Sequence, residues 1–416
     1  MQSADRLHAL DAVRASALLL GVALHAAQPY VAGLYWLTRE PPDNIIAGLW
    51  YTIHMFRMPL FFLIAGFFAR VMLERRGPAG FIKDRCRRIM LPLVAGVPIL
   101  MLLTGLAAVL GGLAVGMDVR GIRPPPSPPH HSVLASINLM HLWFLYYLIL
   151  FYAAALLLRL ASAAGFGRSG RLAAAVDAMV AWLVGSGCAP FILAVPAALY
   201  YCQLKDWSPW GGLPAPFSII PDVGALIAYG SFFGMGWLLQ RRQQSLLSLL
   251  QARWPVYGVL AIAAWAVCRL LAGSTPHWGP FLKDLPLLTY TACYIIGGWC
   301  CSFGLIGLAM RFLSGYSAVR RYLADASYWI YLLHIAVLIF FSQLLHPLRW
   351  AAPGKYPLTI AAAMAVLVLS YHFLVRFTFI GAILNGRRHA RATMEKVDGE
   401  NSPSRGYALS SRRSHC

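Results

Sequence analysis

Charge is what this sequence has least of. Asp, Glu, Lys and Arg make up 12% of its 416 residues, while 59% are hydrophobic. A soluble domain carries about 25% charged residues. Half that share cannot cover a water-facing surface, so a set of two or three soluble domains is excluded. Acidic residues are the scarcest: 15 Asp and Glu stand against 35 Lys and Arg. No carboxylate is well placed within an apolar run to serve as a buried general base. Cysteine is too sparse and too scattered to build a framework. Cys86, Cys188, Cys202, Cys268, Cys293, Cys300, Cys301 and Cys416 mostly fall in apolar runs, without CxxC or His/Cys spacing. This implies neither disulfides nor a metal site. A signal-peptide layout is also missing, because Asp11 and Arg14 open the first apolar run and no clear small-residue cleavage site follows. The first helix is therefore expected to stay as an anchor.

What the chain has is long apolar runs, with a mean hydropathy of +0.63. A spanning helix needs about 20 mostly apolar residues. Candidates lie near 12–34, 44–73, 89–116, 138–160, 185–203, 222–240, 254–273, 284–312, 326–346 and 357–384. The stretch 173–203 reads as one helix with an amphipathic lead-in, or as a helix broken around Gly185, Gly187 and Pro190. The expected fold is an all-α integral membrane bundle of about ten transmembrane helices, with residues 1–385 as the membrane domain. Residues 386–416 form a basic tail with little apolar content, expected to be disordered and cytoplasmic.

The net charge of +20 does not point to nucleic acid, because the basic residues sit in short clusters between apolar runs. With the N-terminus placed in the cytoplasm, 25 of the 35 Lys and Arg fall on the cytoplasmic side, 8 on the far side and 2 within helices. That alternating bias matches the positive-inside rule for ten spans with both ends inside. The far-side loops include the proline-rich 120–131 and the Trp-, Pro- and Gly-rich 203–221 and 274–284.

Ionisable residues inside a bilayer are costly and mark functional sites by default. In the first span, Arg14 and His25 are eleven residues apart. At about 100° each this comes within about 20° of three turns, with a rise of about 16 Å. One face thus carries a cation near the boundary and an imidazole deeper in, and Asp11 can pair with Arg14. A snorkelling arginine and a satisfied bundle histidine would give the same pattern. His54 and Arg57 share a face of the second span, where a structural hydrogen-bond hub is the alternative to a functional pair. Arg85 and Arg88 share a face after it, where they serve topology or dock phosphates. His141-Leu142-Trp143 and Ser327-Tyr328-Trp329-Ile330-Tyr331-Leu332-Leu333-His334 add two more histidines among aromatics, a combination common in plain packing.

Taken together, Arg14-(ten residues)-His25, the FFLIAGFF segment at 61–68, Arg85-x-x-Arg88 before IMLP, HLWFL at 141–145 and SYWIYLLH at 327–334 resemble the membrane acyltransferase 3 family. They occur in the family's order and cover nearly the whole chain. The LDAVRA opening and His54-x-x-Arg57 most resemble its branch associated with succinylation of periplasmic glucans. Ala65 stands where many relatives have serine, which excludes a nucleophile there. The resemblance implies His25 as catalytic base and Arg14 as a contact for acyl-CoA. It also implies that Arg85 and Arg88 hold the CoA phosphates, while His54, Arg57, His141 and His334 line a central cavity. Asp11, Trp143 and Tyr328 complete the expected substrate-binding set.

The chemistry is consistent with this. Esterifying a hydroxyl needs a base near neutral pKa, and a neutral imidazole is cheaper to bury than a carboxylate. Arg57 is the candidate for stabilising the oxyanion. The expected partners are acyl-CoA, with succinyl-CoA as the co-substrate, a periplasmic glycan acceptor and the bilayer of the bacterial inner membrane, with no permanently bound cofactor. A transporter of a glycan or small anion is the alternative. It would favour inverted repeats with broken helices in matching halves, and none is visible.

Overall fold

Backbone polar groups in hydrocarbon have no water to bond, so an apolar run satisfies them internally as a helix. The computed structural model describes residues 3–34, 36–119, 137–161 and 170–386, with side chains from His8 onward, and its long elements are all helices. They are α1 (Ser3–Ala27), α2 (Asn44–Arg85), α3 (Leu91–Ala114), α4 (Trp143–Ala161), α5 (Gly170–Ser186), α6 (Ala189–Tyr201), α7 (Val223–Arg241), α8 (Gln243–Ala272), α9 (Asp284–Phe312), α10 (Ala318–Leu345), α11 (Ala352–Ser370) and α12 (Phe379–Asn385). Among the described residues the only extended pairing is an isolated bridge between Asn138 and Ser218. The proline-rich 120–131 and the tail from 387 lie outside the described residues.

By length and composition eight helices can cross a membrane, or nine when α5 and α6 count as one bent span. The sequence reading expects a loop over 74–88 between two spans. The structure keeps that region helical, so Asn44–Ala114 is one run of 71 residues. It is not straight. Gly77 leaves the helical region (φ 66°, ψ 175°), and Cys86–Met90 forms a π-helical turn. The α5–α6 pair takes the broken-helix alternative: the two meet at 104° at Gly187, whose φ of +81° is left-handed and favours glycine.

The helix caps follow local chemistry. Asp43 accepts from the backbone N–H of Ile45 and Ile46, Asp222 from Ala225 and Ser317 from Arg320, each satisfying an otherwise orphan donor. α2 runs through the middle of the bundle against α1, α7 and α9, while α10 packs on α1, α3 and α11. The 61–68 segment is the core of α2, with Phe62, Leu63, Ile64 and Phe67 essentially inaccessible. Phe62 stacks on Tyr229 of α7. The outward faces are apolar instead: Val94 and Leu102 on α3 and Val259, Ile262 and Leu270 on α8 are well exposed. Such faces suit hydrocarbon rather than water.

The α2–α7 crossing depends on two glycines. A Cβ on Gly66 would collide with the Phe233 carbonyl oxygen, and one on Gly236 with that of Leu63. Backbone cannot yield as a flexible side chain can. Gly236→Val should cost about 1–3 kcal/mol or more through overpacking. The expected result is a lower melting temperature and a smaller monodisperse fraction in detergent, measured by size-exclusion chromatography.

Candidate active site

α1 brings Arg14 and His25 to its inward face. Arg14 pairs with Asp11 at 3.0 Å, and its guanidinium lies 5.4 Å over the ring of Phe68 on α2. His25, three turns on, faces His334 of α10 with ring centroids 5.1 Å apart. His334 in turn faces His141, just ahead of α4, at 5.0 Å. Between the helices lies Arg57. A Cβ on Gly21 would be 2.5 Å from Arg57 Nη1 and 3.8 Å from His334 Nε2. The α1 backbone therefore has to be bare for the guanidinium to fit. Arg57 is a charged neighbour of His25, His54, His141 and His334. His25, His54 and Arg57 lie deep among the helices yet keep partial exposure.

Hydrogen bonds fix the tautomers. A carbonyl oxygen only accepts, so the ring nitrogen facing it carries the proton. His25 Nδ1 donates to Gln28 Oε1 at 3.0 Å, and His334 Nδ1 donates to the Tyr331 carbonyl at 2.7 Å. His141 Nε2 donates to the carbonyls of Tyr331 and Leu332, each at 3.1 Å. Each ring then presents its other nitrogen as a lone pair: Nε2 of His25, Nε2 of His334 and Nδ1 of His141. The last two are buried and, among the described residues, have no hydrogen-bond partner, and neither has Arg57 Nε. The site therefore gathers three imidazole lone pairs beside one cation. It can take a proton from a hydroxyl and stabilise negative charge on an oxygen.

His54 sits one turn before Arg57 on α2. It stacks on Trp50 at 4.8 Å and donates from Nε2 to the carbonyls of Gly211 and Leu213 at 3.0 and 3.1 Å, tying α2 to the loop after α6. Trp143 packs with Phe62, Tyr147 and Tyr229, as an element of the aromatic core. The remaining sequence-predicted residues gather at the far, basic end of α1. Asp84, with its side chain 4% exposed, receives Arg76 at 2.9 Å, Arg85 at 2.7 Å and Arg88 at 3.3 Å. One carboxylate thus holds three guanidinia and leaves an excess of positive charge. Tyr328 donates to the Arg88 carbonyl at 2.7 Å and stacks on Tyr331, linking this cluster to the histidines above.

A match to the acyltransferase domain model covers residues 7–372. The chain belongs to the acyltransferase 3 family. This acyltransferase is 24% identical to glucans biosynthesis protein C of Salmonella typhimurium over 406 residues, 94% of this chain and 98% of that one. It is 32% identical to glucans biosynthesis protein C of Escherichia coli over 104 residues, 24% of this chain. That second match covers only 26% of the Escherichia coli protein. No solved structure matches this acyltransferase. Family and apolar helices together make it a multi-pass membrane protein.

Three contributors escape a reading of the sequence. Gln28 stands in the 3₁₀ turn Gln28–Tyr30, beyond the last helical turn of α1, where its reach back to His25 depends on that turn. Gly21 looks like any glycine in an apolar helix. Asp84 is hidden in a basic run, although an acid among six nearby cations was a usable signal. The Gln28 bond yields a prediction. Gln28→Leu frees the His25 ring, and losing one such hydrogen bond is worth about 1 kcal/mol. Initial acyl-transfer rates should fall roughly five- to tenfold, with little change in folded yield.

Proposed function

We propose that this acyltransferase moves an acyl group, succinyl in our reading, from cytoplasmic acyl-CoA to hydroxyls of a periplasmic glucan or another extracytoplasmic glycan. It would work in the bacterial inner membrane, with no permanently bound cofactor. The single observation that carries this reading is the meeting of His25, His141 and His334 around the Arg57 guanidinium. The names of the relatives support the choice of acceptor, and the motif resemblance supports the choice of donor.

In this proposal the chain crosses the membrane ten times with both ends in the cytoplasm. The 71-residue helical run supports that count: at 1.5 Å per residue it would be about 107 Å long, over three bilayer cores. With the kink at Gly77 it divides into two spans. The basic end of α1, with Arg14, Arg85 and Arg88, then faces the cytoplasm, where arginine forks suit the phosphates of CoA. Asp11 and Tyr328 set the positions of Arg14 and Arg88. His54 and the neighbouring loops face the periplasm, with Trp143 supporting the wall between.

The reaction follows from these positions. The acceptor hydroxyl gives its proton to His25 Nε2 as its oxygen bonds to the thioester carbonyl carbon. The carbonyl oxygen becomes an oxyanion facing Arg57. Collapse breaks the C–S bond, leaving the ester and CoA. Gln28 keeps His25 in the tautomer that can act as base, and His141 and His334 keep the site free of competing charge.

Two outcomes test the assignment. His25→Ala should lower acyl transfer by on the order of 10²- to 10⁴-fold while membrane insertion stays intact; retained activity would refute the base. Arg57→Ala should lower kcat by about 10²- to 10³-fold, and Arg57→Lys should recover only part of it, since the planar fork is lost. Both are measured by incubating membranes with labelled acyl-CoA and detecting acylated glycan by mass spectrometry. A protein that only exports glycan would yield none.

A further inference from the structure

α11 opens on a lysine that its local electrostatics oppose. Lys355 is the fourth residue of that helix, near the positive end of the helix dipole, where a cation is disfavoured. Its side chain is also only 5% exposed, and a buried charge is costly unless it is paired. The position is therefore set by its partner. That partner is Glu40, in the chain between α1 and α2, with its side chain 6% exposed and its Oε2 2.8 Å from Lys355 Nζ. Lys355 Nζ also donates to the His346 carbonyl at 3.0 Å. His346 Nδ1, just past α10, donates to the other Glu40 oxygen at 2.9 Å. The chain before α2 is thus buckled to the end of α10 and the start of α11.

What the buckle holds is the turn that carries Gln28. The Glu40 backbone N–H donates to the Pro29 carbonyl at 3.1 Å, and that of Asp43 to the Tyr30 carbonyl at 3.0 Å. Pro29 and Tyr30 belong to the same 3₁₀ turn as Gln28. Ala26, Pro29 and Tyr30 line one small cavity together with Glu40 and Lys355, so the ion pair lies against the turn. The residue after Lys355 grips α1 as well. The Tyr356 hydroxyl donates to the Ala23 carbonyl at 3.0 Å, and its ring meets that of Tyr30 edge-on. Gln28 in turn accepts from His25 Nδ1 at 3.0 Å.

We infer that the buried Glu40–Lys355 pair positions His25 for reaction by fixing the Gln28–Tyr30 turn. This rests on the proposed acyl transfer with His25 as base. A 3₁₀ turn has poorer hydrogen-bond geometry than an α-helix, so three residues of it hold a side chain in place only when fastened from outside. The reaction needs that fastening, because a misplacement of about 1 Å can cost on the order of 10²-fold in rate. Glu40 and Lys355 act through Gln28 and touch no reacting atom; they are positioning residues.

The test separates positioning from stability. The full-length protein in lipid vesicles receives labelled acyl-CoA and a glucan acceptor. Lys355→Met leaves the Glu40 charge buried without its partner and should lower both the melting temperature and kcat. Glu40→Gln/Lys355→Met removes both charges, so melting temperature and folded yield should return to those of the parent. Its kcat should nonetheless stay about fivefold down, with the donor KM within about twofold. Gln28→Leu already releases His25, so adding the double replacement to it should cost less than about twofold more, as expected of groups in one chain of contacts. Should the double replacement not fold, Glu40→Gln in the parent and in Gln28→Leu gives the same comparison. Charge-free variants with the parent's kcat would make the pair a structural fastening only and overturn the inference. Losses that multiply with that of Gln28→Leu would overturn it too, since the pair would then act by another route. A parent that transfers no label sinks the acyl-transfer reading itself, a result distinct from an active parent matched by its charge-free variant.

Discussion

The candidate site is arranged around a permanently charged guanidinium that, among the described residues, has no carboxylate beside it. Arg57 lies in the first third of α2, with Tyr331, Tyr229 and four imidazoles as its titratable neighbours. Isolated charge is among the most expensive things a membrane interior can hold. Its titratable neighbours are tyrosines and imidazoles rather than an anion. An ion pair would be easier to bury but would leave nothing for a developing oxyanion to bind. The scarcity of acidic residues in the sequence accords with the proposed oxyanion role of Arg57.

Much of this was readable in the amino-acid order because periodicity survives folding. The eleven-residue step from Arg14 to His25 fixes a common face whatever surrounds it, and both side chains do face the bundle interior. The apolar run at 284–312 matches α9, whereas 12–34 falls on α1 at Ser3–Ala27 and 254–273 on α8 at Gln243–Ala272. What could not be read depends on tertiary neighbours. Residues 74–88 are helical on either side of a break at Gly77, whose positive φ interrupts otherwise helical text. The tie between His54 and the carbonyls of Gly211 and Leu213 joins positions more than 150 residues apart. Trp143, grouped with ligand-facing residues by its neighbours in sequence, lies in an aromatic stack.

The two ends of the site are built differently. At the basic end a single buried acid, Asp84, gathers Arg76, Arg85 and Arg88, so the arginines are held in place before any anion arrives. Preorganised cations bind phosphate without the ordering cost that free side chains would carry. At the other end the fastening is by backbone: carbonyls hold His54, and Trp278 Nε1 donates to the Ala32 carbonyl at 2.6 Å. Charged ligands suit the first arrangement and neutral hydroxyls the second.

The lone guanidinium has a further consequence for the cell. A passage open to both compartments, as the proposed transfer requires, risks short-circuiting the ion gradients across the membrane. A fixed positive charge among the helices repels hydronium and metal cations, as cationic constrictions do in water-selective pores. The group proposed to steady a fleeting negative oxygen would thus also oppose cation leakage between turnovers.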